Sequence, residues 1–101
     1  MTHNKVMKNL IISETIQKKL LDKHQVHRRD VEQCFENKCG LYLQDPREDH
    51  QTNPPTLWFV APTNCGRMLK IMLVFRDGSV YLKSAYDATQ EIQNIYDRFA
   101  K

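Results

Sequence analysis

The spacing of apolar and polar positions changes several times along the chain, and each change marks an element. Leu10, Ile11 and Ile12 form a short apolar run ahead of Ser13, a residue type that caps helices by accepting a backbone N–H bond. A strand giving way to a helix is the expectation. From Glu14 to about His24, Ile16, Leu20 and Leu21 recur at helical spacing while Lys18, Lys19 and Lys23 fill the other side, so this helix is amphipathic and basic. A joint at Gln25 to His27 precedes a second helix, with Val31, Cys34 and Phe35 on one face and Gly40 as its stop.

Beyond it, Leu41, Tyr42 and Leu43 suggest a brief strand, and the prolines and polar residues from Asp45 to Pro55 predict a long loop. Leu57 to Ala61, Arg67 to Phe75 and Ser79 to Tyr86 read as strands separated by turn signals at Pro62 to Gly66 and at Asp77-Gly78. Asp87 then caps a last helix whose stripe is Ala88, Ile92, Ile95, Tyr96 and Phe99. The expectation is an α+β domain spanning residues 1–101: two N-terminal helices, an antiparallel meander of three to four strands and a C-terminal helix.

Composition agrees with one globular domain. The 101 residues are 41% hydrophobic and 27% charged, enough to bury a core without cross-links and too apolar for a disordered chain. The longest apolar stretches, such as Ile71 to Phe75, fall far short of the roughly 20 residues that cross a bilayer, and the first residues lack the pattern of a signal peptide. No membrane association and a cytoplasmic location are expected, with Cys34, Cys39 and Cys65 as reduced thiols.

Charge is uneven. Through Arg29 the chain has seven Lys and Arg against Glu14 and Asp22, whereas the remainder has eight against ten acidic residues. Two readings stand: a basic face that attracts nucleic acid or an acidic partner, or a solvated helix face.

The three cysteines match no zinc-site spacing, and Cys34 beside Phe35 reads as a small buried hydrophobe, so no metal is expected. The chain has no glycine-rich phosphate loop, H-E-x-x-H helix or G-x-S-x-G elbow. RNA cleavage makes smaller demands, because attack by a ribose 2′-OH on the adjacent phosphate needs only a base, an acid and cations. Glu48 and His50, two apart in the long loop, point the same way in an extended chain, and Arg67 opens a strand that borders it. These three residues form a candidate catalytic acid, base and phosphate clamp, or part of an ordinary polar loop.

Lys23, His24, Arg28 and Arg29 are candidates for a phosphate backbone, joined by Lys83. His24 equally fits capping or packing. Trp58, Phe59, Tyr81 and Tyr86 suit base stacking or packing on a sheet face.

A resemblance joins these fragments. Lys23-His24-Gln25-Val26, Asp30-Val31-Glu32 with Phe35, Asp45-Pro46, Gly66-Arg67-Met68-Leu69-Lys70 and Ser84-Ala85-Tyr86-Asp87-Ala88 together resemble the BrnT-type toxins of bacterial toxin–antitoxin pairs, over roughly residues 16 to 92. The order and spacing match the family's K-H-G-V, E-E-x-x-x-x-F, D-P, G-R-L-L and S-A-R-x-A segments. The resemblance implies a RelE-like fold, an endoribonuclease that blocks translation, no cofactor, and RNA and a cognate antitoxin as partners. It carries over to Lys23, His24 and Arg67. The family's S-A-R arginine is Tyr86 here, its arginine entering the first meander strand falls near Thr56, and the glycine of K-H-G-V is Gln25. These replacements leave a second expectation, a noncatalytic RNA- or protein-binding module on the same fold.

The chain is also similar to small bacterial proteins labelled ADP-ribosyl-(dinitrogen reductase) hydrolase, in Arg47-Glu48-Asp49-His50 and Pro54-Pro55-Thr56-Leu57-Trp58. Hydrolases of that name are much longer helical proteins with a metal centre built from several carboxylates. This pattern does not supply one.

Overall fold

The computed structural model describes residues 7–47 and 53–101. The chain runs through β1 (Leu10–Ile11), α1 (Glu14–Lys19) with a π-helical turn (Leu20–His24), α2 (Arg28–Asn37) and β2 (Leu43–Gln44), then β3 (Leu57–Pro62), β4 (Met68–Arg76), β5 (Ser79–Asp87) and α3 (Gln90–Ala100). The α+β class agrees with the sequence pattern, whereas the first expected helix divides into α1 and the π-helical turn. The sheet is larger than a meander: five strands in the order β1-β5-β4-β3-β2. It is also mixed, because β1 lies parallel to β5, with Leu10 opposite Val80 and Ile11 opposite Tyr81. Two-residue strands carry almost no local signal, so pairing across about seventy residues of sequence is decided by the assembled sheet.

Ser13 caps α1 as expected, accepting from the Ile16 N–H at 3.2 Å. The helix widens in its last turn and ends where Gln25 adopts a left-handed conformation with φ of 54°, its N–H and that of Val26 donating to Leu21 and Leu20 carbonyls. A residue with a Cβ in that conformation is strained by about 1–2 kcal/mol.

Two capping expectations are corrected. Thr89, not Asp87, caps α3, accepting from the Ile92 N–H at 3.2 Å. Asp87 instead completes β5, and its carboxylate pairs with Arg67. Helix α2 ends at Asn37, three residues before Gly40. A Cβ at Gly40 would stand 2.6 Å from the Tyr96 hydroxyl, so this glycine makes room for an aromatic ring instead of stopping a helix.

Alternation along the strands sorts the core onto two faces. Phe59, Ala61, Leu69, Ile71 and Leu73 share one face and are buried. Helix α2 covers it through Val31 and Cys34, both fully buried, and through Phe35, whose ring meets Phe59 edge-on at 4.9 Å. Each fully buried Val or Phe side chain contributes roughly 1.5–3 kcal/mol. Helix α3 covers part of the other face, where Tyr96 packs on Trp58 at 5.7 Å and donates its hydroxyl to the Leu41 carbonyl at 2.7 Å. Met72 and Val74, farther along that second face, are buried as well.

Among the described residues no helix is long and apolar enough to cross a membrane.

Candidate functional site

Arg67 lies just before β4 and reaches two neighbours at once. Its Nε and Nη2 donate to the Asp87 carboxylate at 2.7 and 3.1 Å, while Nη1 and Nη2 donate to the carbonyls of Gln25 and His24 at 2.9 and 2.6 Å. The guanidinium thereby ties the end of α1 to the end of β5. The bond from Arg67 and its charge, with a further contribution from His24, hold the Asp87 carboxyl below its ordinary range.

That tie sets two rings beside each other. His24, half-buried at the helix end, meets Tyr86, the residue before Asp87, at a centroid distance of 5.7 Å. Lys70 is opposite Tyr86 across the β4–β5 ladder. Its Nζ stands 5.9 Å from the Tyr86 centroid and 4.6 Å from that of Trp58. The Tyr86 hydroxyl lies against the Met72 sulfur at 3.9 Å, and Arg47 reaches the same sulfur at 3.8 Å while its guanidinium pairs with the buried Asp45. An imidazole, a phenol and an ammonium thus meet at one end of that second face.

The same face continues along β4 through Met72, Val74 and Arg76, at the two-residue period of a strand. On β5, Lys83 is the extra residue of a β-bulge: Met72 pairs with Ser84 and Leu73 with Leu82, which leaves Lys83 without an opposite number. Bulges re-aim side chains. Here Lys83 joins Val74, Arg76 and Tyr81 around a cleft of about 180 Å³. The residues of β3, β4 and β5 that face this way include Lys70, Arg76 and Lys83 and no Asp or Glu.

The remaining candidates separate. Lys23 is exposed beside His24, in the π-helical turn. Arg29 is exposed on the first turn of α2. Arg28 donates to the carbonyls of Met7 and Leu10, both at 2.8 Å, and to Glu32, binding the N-terminal segment to α2. Glu48 and His50 lie outside the described residues, so the grouping of both with Arg67 does too. Of the four aromatic candidates, Phe59 is fully buried and Trp58 is 8% exposed, which makes both packing residues. Tyr81 is exposed and Tyr86 half-buried.

Sequence reasoning passed over Lys70, Arg76 and the pairing of His24 with Tyr86. The alternation Lys70, Met72, Val74, Arg76 was a legible signal for two cations on one strand face. Contact between residues 24 and 86 had none, because it depends on the helix lying beside β5.

Tyr86 and Thr56, the positions set against arginines in the resemblance, have structural roles. Tyr86 receives His24, and Thr56 is buried, its carbonyl accepting the Asp45 N–H at 2.9 Å. Gln25 is left-handed, a conformation that glycine adopts without strain. No cluster of three or more His, Cys, Asp or Glu with the geometry to hold a metal ion occurs among the described residues. Neither protein-family models nor curated proteins match the chain.

Proposed function

We propose that this chain is a toxin of a bacterial type II toxin–antitoxin pair, of the BrnT type it resembles, which acts in the cytoplasm as a metal-independent endoribonuclease on single-stranded RNA. The observation that carries this reading is the meeting of His24, Tyr86 and Lys70 on a sheet face to which β3, β4 and β5 contribute no Asp or Glu. These groups suit cleavage by the ribose itself. The His24 imidazole takes the 2′-OH proton as O2′ bonds to phosphorus, the bond from phosphorus to O5′ breaks, and the Tyr86 phenol protonates the leaving oxygen. Lys70 offsets the charge gathering on the phosphate oxygens. The products are a 2′,3′-cyclic phosphate and a 5′-hydroxyl end. A cognate antitoxin of acidic character would cover the same cations.

Arg67 enters as a positioning residue: its donors hold His24 and Asp87, and through them the facing rings. That same commitment favours a second reading, a noncatalytic RNA- or protein-binding module, since a guanidinium spent on four bonds is poorly placed to clamp a phosphate.

Incubating the purified protein with mixed RNA, with and without EDTA, beside His24→Ala, Lys70→Ala, Glu48→Gln and His50→Ala variants of matched thermal stability, separates the readings. Cleavage that survives EDTA and falls at least about a hundredfold in His24→Ala, the scale of a general base, supports the enzyme. Cleavage lost only in Glu48→Gln or His50→Ala moves the chemistry to the long loop. Binding without cleavage, on naked RNA and on translating ribosomes, supports the module.

A further inference from the structure

The cleft at the far end of the same sheet face has no place in the chemistry proposed above. Arg76 closes β4 just before the Asp77-Gly78 turn, and Lys83 stands out from the bulge of β5. Neither has a hydrogen-bond or ion-pair partner among the described residues, so both charges are available to an anion. Between them lie the exposed ring of Tyr81 and the side of Val74, an apolar floor beside two cations. A planar base on Tyr81 and a phosphate between Arg76 and Lys83 match that chemistry: aromatic rings stack bases without regard to sequence, and paired cations neutralise a phosphodiester.

Lys70 and Arg76 are six strand residues apart, about 20 Å at roughly 3.3 Å per residue. A stacked single strand advances about 3.4 Å per nucleotide. About six nucleotides therefore connect the His24, Tyr86 and Lys70 group to this cleft, and three do not.

We propose that Val74, Arg76, Tyr81 and Lys83 form a second, distal nucleotide subsite, which makes the protein a binder of RNA strands of about six nucleotides or more. The inference rests on the RNA reading above. Bulged Lys83 is the element that makes the site, because regular pairing of β5 would give it no such projection beside Arg76.

The test is fluorescence anisotropy of a labelled single-stranded RNA octamer and trimer against wild type, Arg76→Ala/Lys83→Ala and Lys70→Ala, over a range of salt concentrations. Octamer affinity should fall about tenfold or more in the double variant, with its log–log salt slope reduced by about 1.4, the value for two lost single-strand phosphate contacts at about 0.7 each. Trimer binding should be the same for both proteins. Lys70→Ala should weaken both oligomers. An octamer bound by the double variant with wild-type affinity and slope, while Lys70→Ala loses it, overturns the subsite and leaves the RNA reading intact. Failure of wild type to bind either oligomer at low salt overturns both. The double variant is on the surface, and an unchanged melting temperature confirms that it is folded.

Discussion

Arg67 and Asp87 are joined by a two-point ion pair at 2.7 and 3.1 Å, and the same guanidinium caps the carbonyls of His24 and Gln25. One side chain thus connects the start of β4, the end of β5 and the end of the first helix. Replacing it with Ala leaves those carbonyls and the carboxylate without their donor. Charge-assisted hydrogen bonds contribute roughly 1.5–3 kcal/mol, and the partial exposure of the group favours the lower figure. Arg67→Ala should lose about 2 kcal/mol in urea unfolding. Arg67→Lys should recover only part of it, because an ammonium does not span three elements. Equal stability of all three proteins would remove the tie from the account.

The pair also fixes a pH dependence. Bonding to Arg67 holds the Asp87 carboxyl below its ordinary value of 3.8. A carboxyl with a depressed folded value contributes stability above its unfolded value and loses that contribution as pH falls through the folded one. The stability gap between wild type and Asp87→Asn should therefore close progressively below about pH 4. Its size should stay within about 1 kcal/mol, since the carboxylate is largely exposed. Melting curves at stepped pH check it, and a gap that widens in acid contradicts it.

Gln25 occupies a left-handed conformation with φ of 54°. Gln25→Gly should stabilise the protein by up to about 1 kcal/mol by removing the Cβ clash. The same change at Gln17, inside α1, should cost about 1 kcal/mol.

Gly40 faces the opposite constraint. A Cβ there would lie 2.6 Å from the Tyr96 hydroxyl and 2.9 Å from two ring carbons. Gly40→Ala should destabilise by roughly 1–3 kcal/mol through overpacking, and the near-ultraviolet signal of Tyr96 should change with it. Because the ring carbons also clash, Tyr96→Phe in the same chain should not restore stability.

The cysteines divide by environment. Burial pushes the Cys34 thiol up to about 12, and its Sγ lies 3.3 Å from the Ala61 carbonyl, whereas Cys39 and Cys65 are exposed. Iodoacetamide at pH 8 should add two groups to the native protein and three after denaturation, counted by intact mass. A third adduct forming at the same rate under native conditions would place Cys34 in reach of solvent.

Local pattern carried most of the elements. The stripe of Val31, Cys34 and Phe35, the alternation from Leu57 to Tyr86 and the Asp77-Gly78 turn each report contacts within a few residues, and that is where hydrophobic period and turn chemistry act. Candidate cations on the first helix were legible for the same reason. What escaped was long-range. Asp87 had the composition of a helix cap and became an ion-pair partner because β4 brought Arg67 alongside it. Gly40 looked like a helix stop until Tyr96, fifty-six residues later, came to need its missing side chain. The parallel β1–β5 pairing, the contact of His24 with Tyr86 and the projection of Lys83 from its bulge all depend on which strand lies beside which. Periods, turns and the basic bias were readable along the chain. Which charges are spent on the fold and which face the solvent was settled by three-dimensional packing, because that depends on partners the chain meets only when the sheet is assembled.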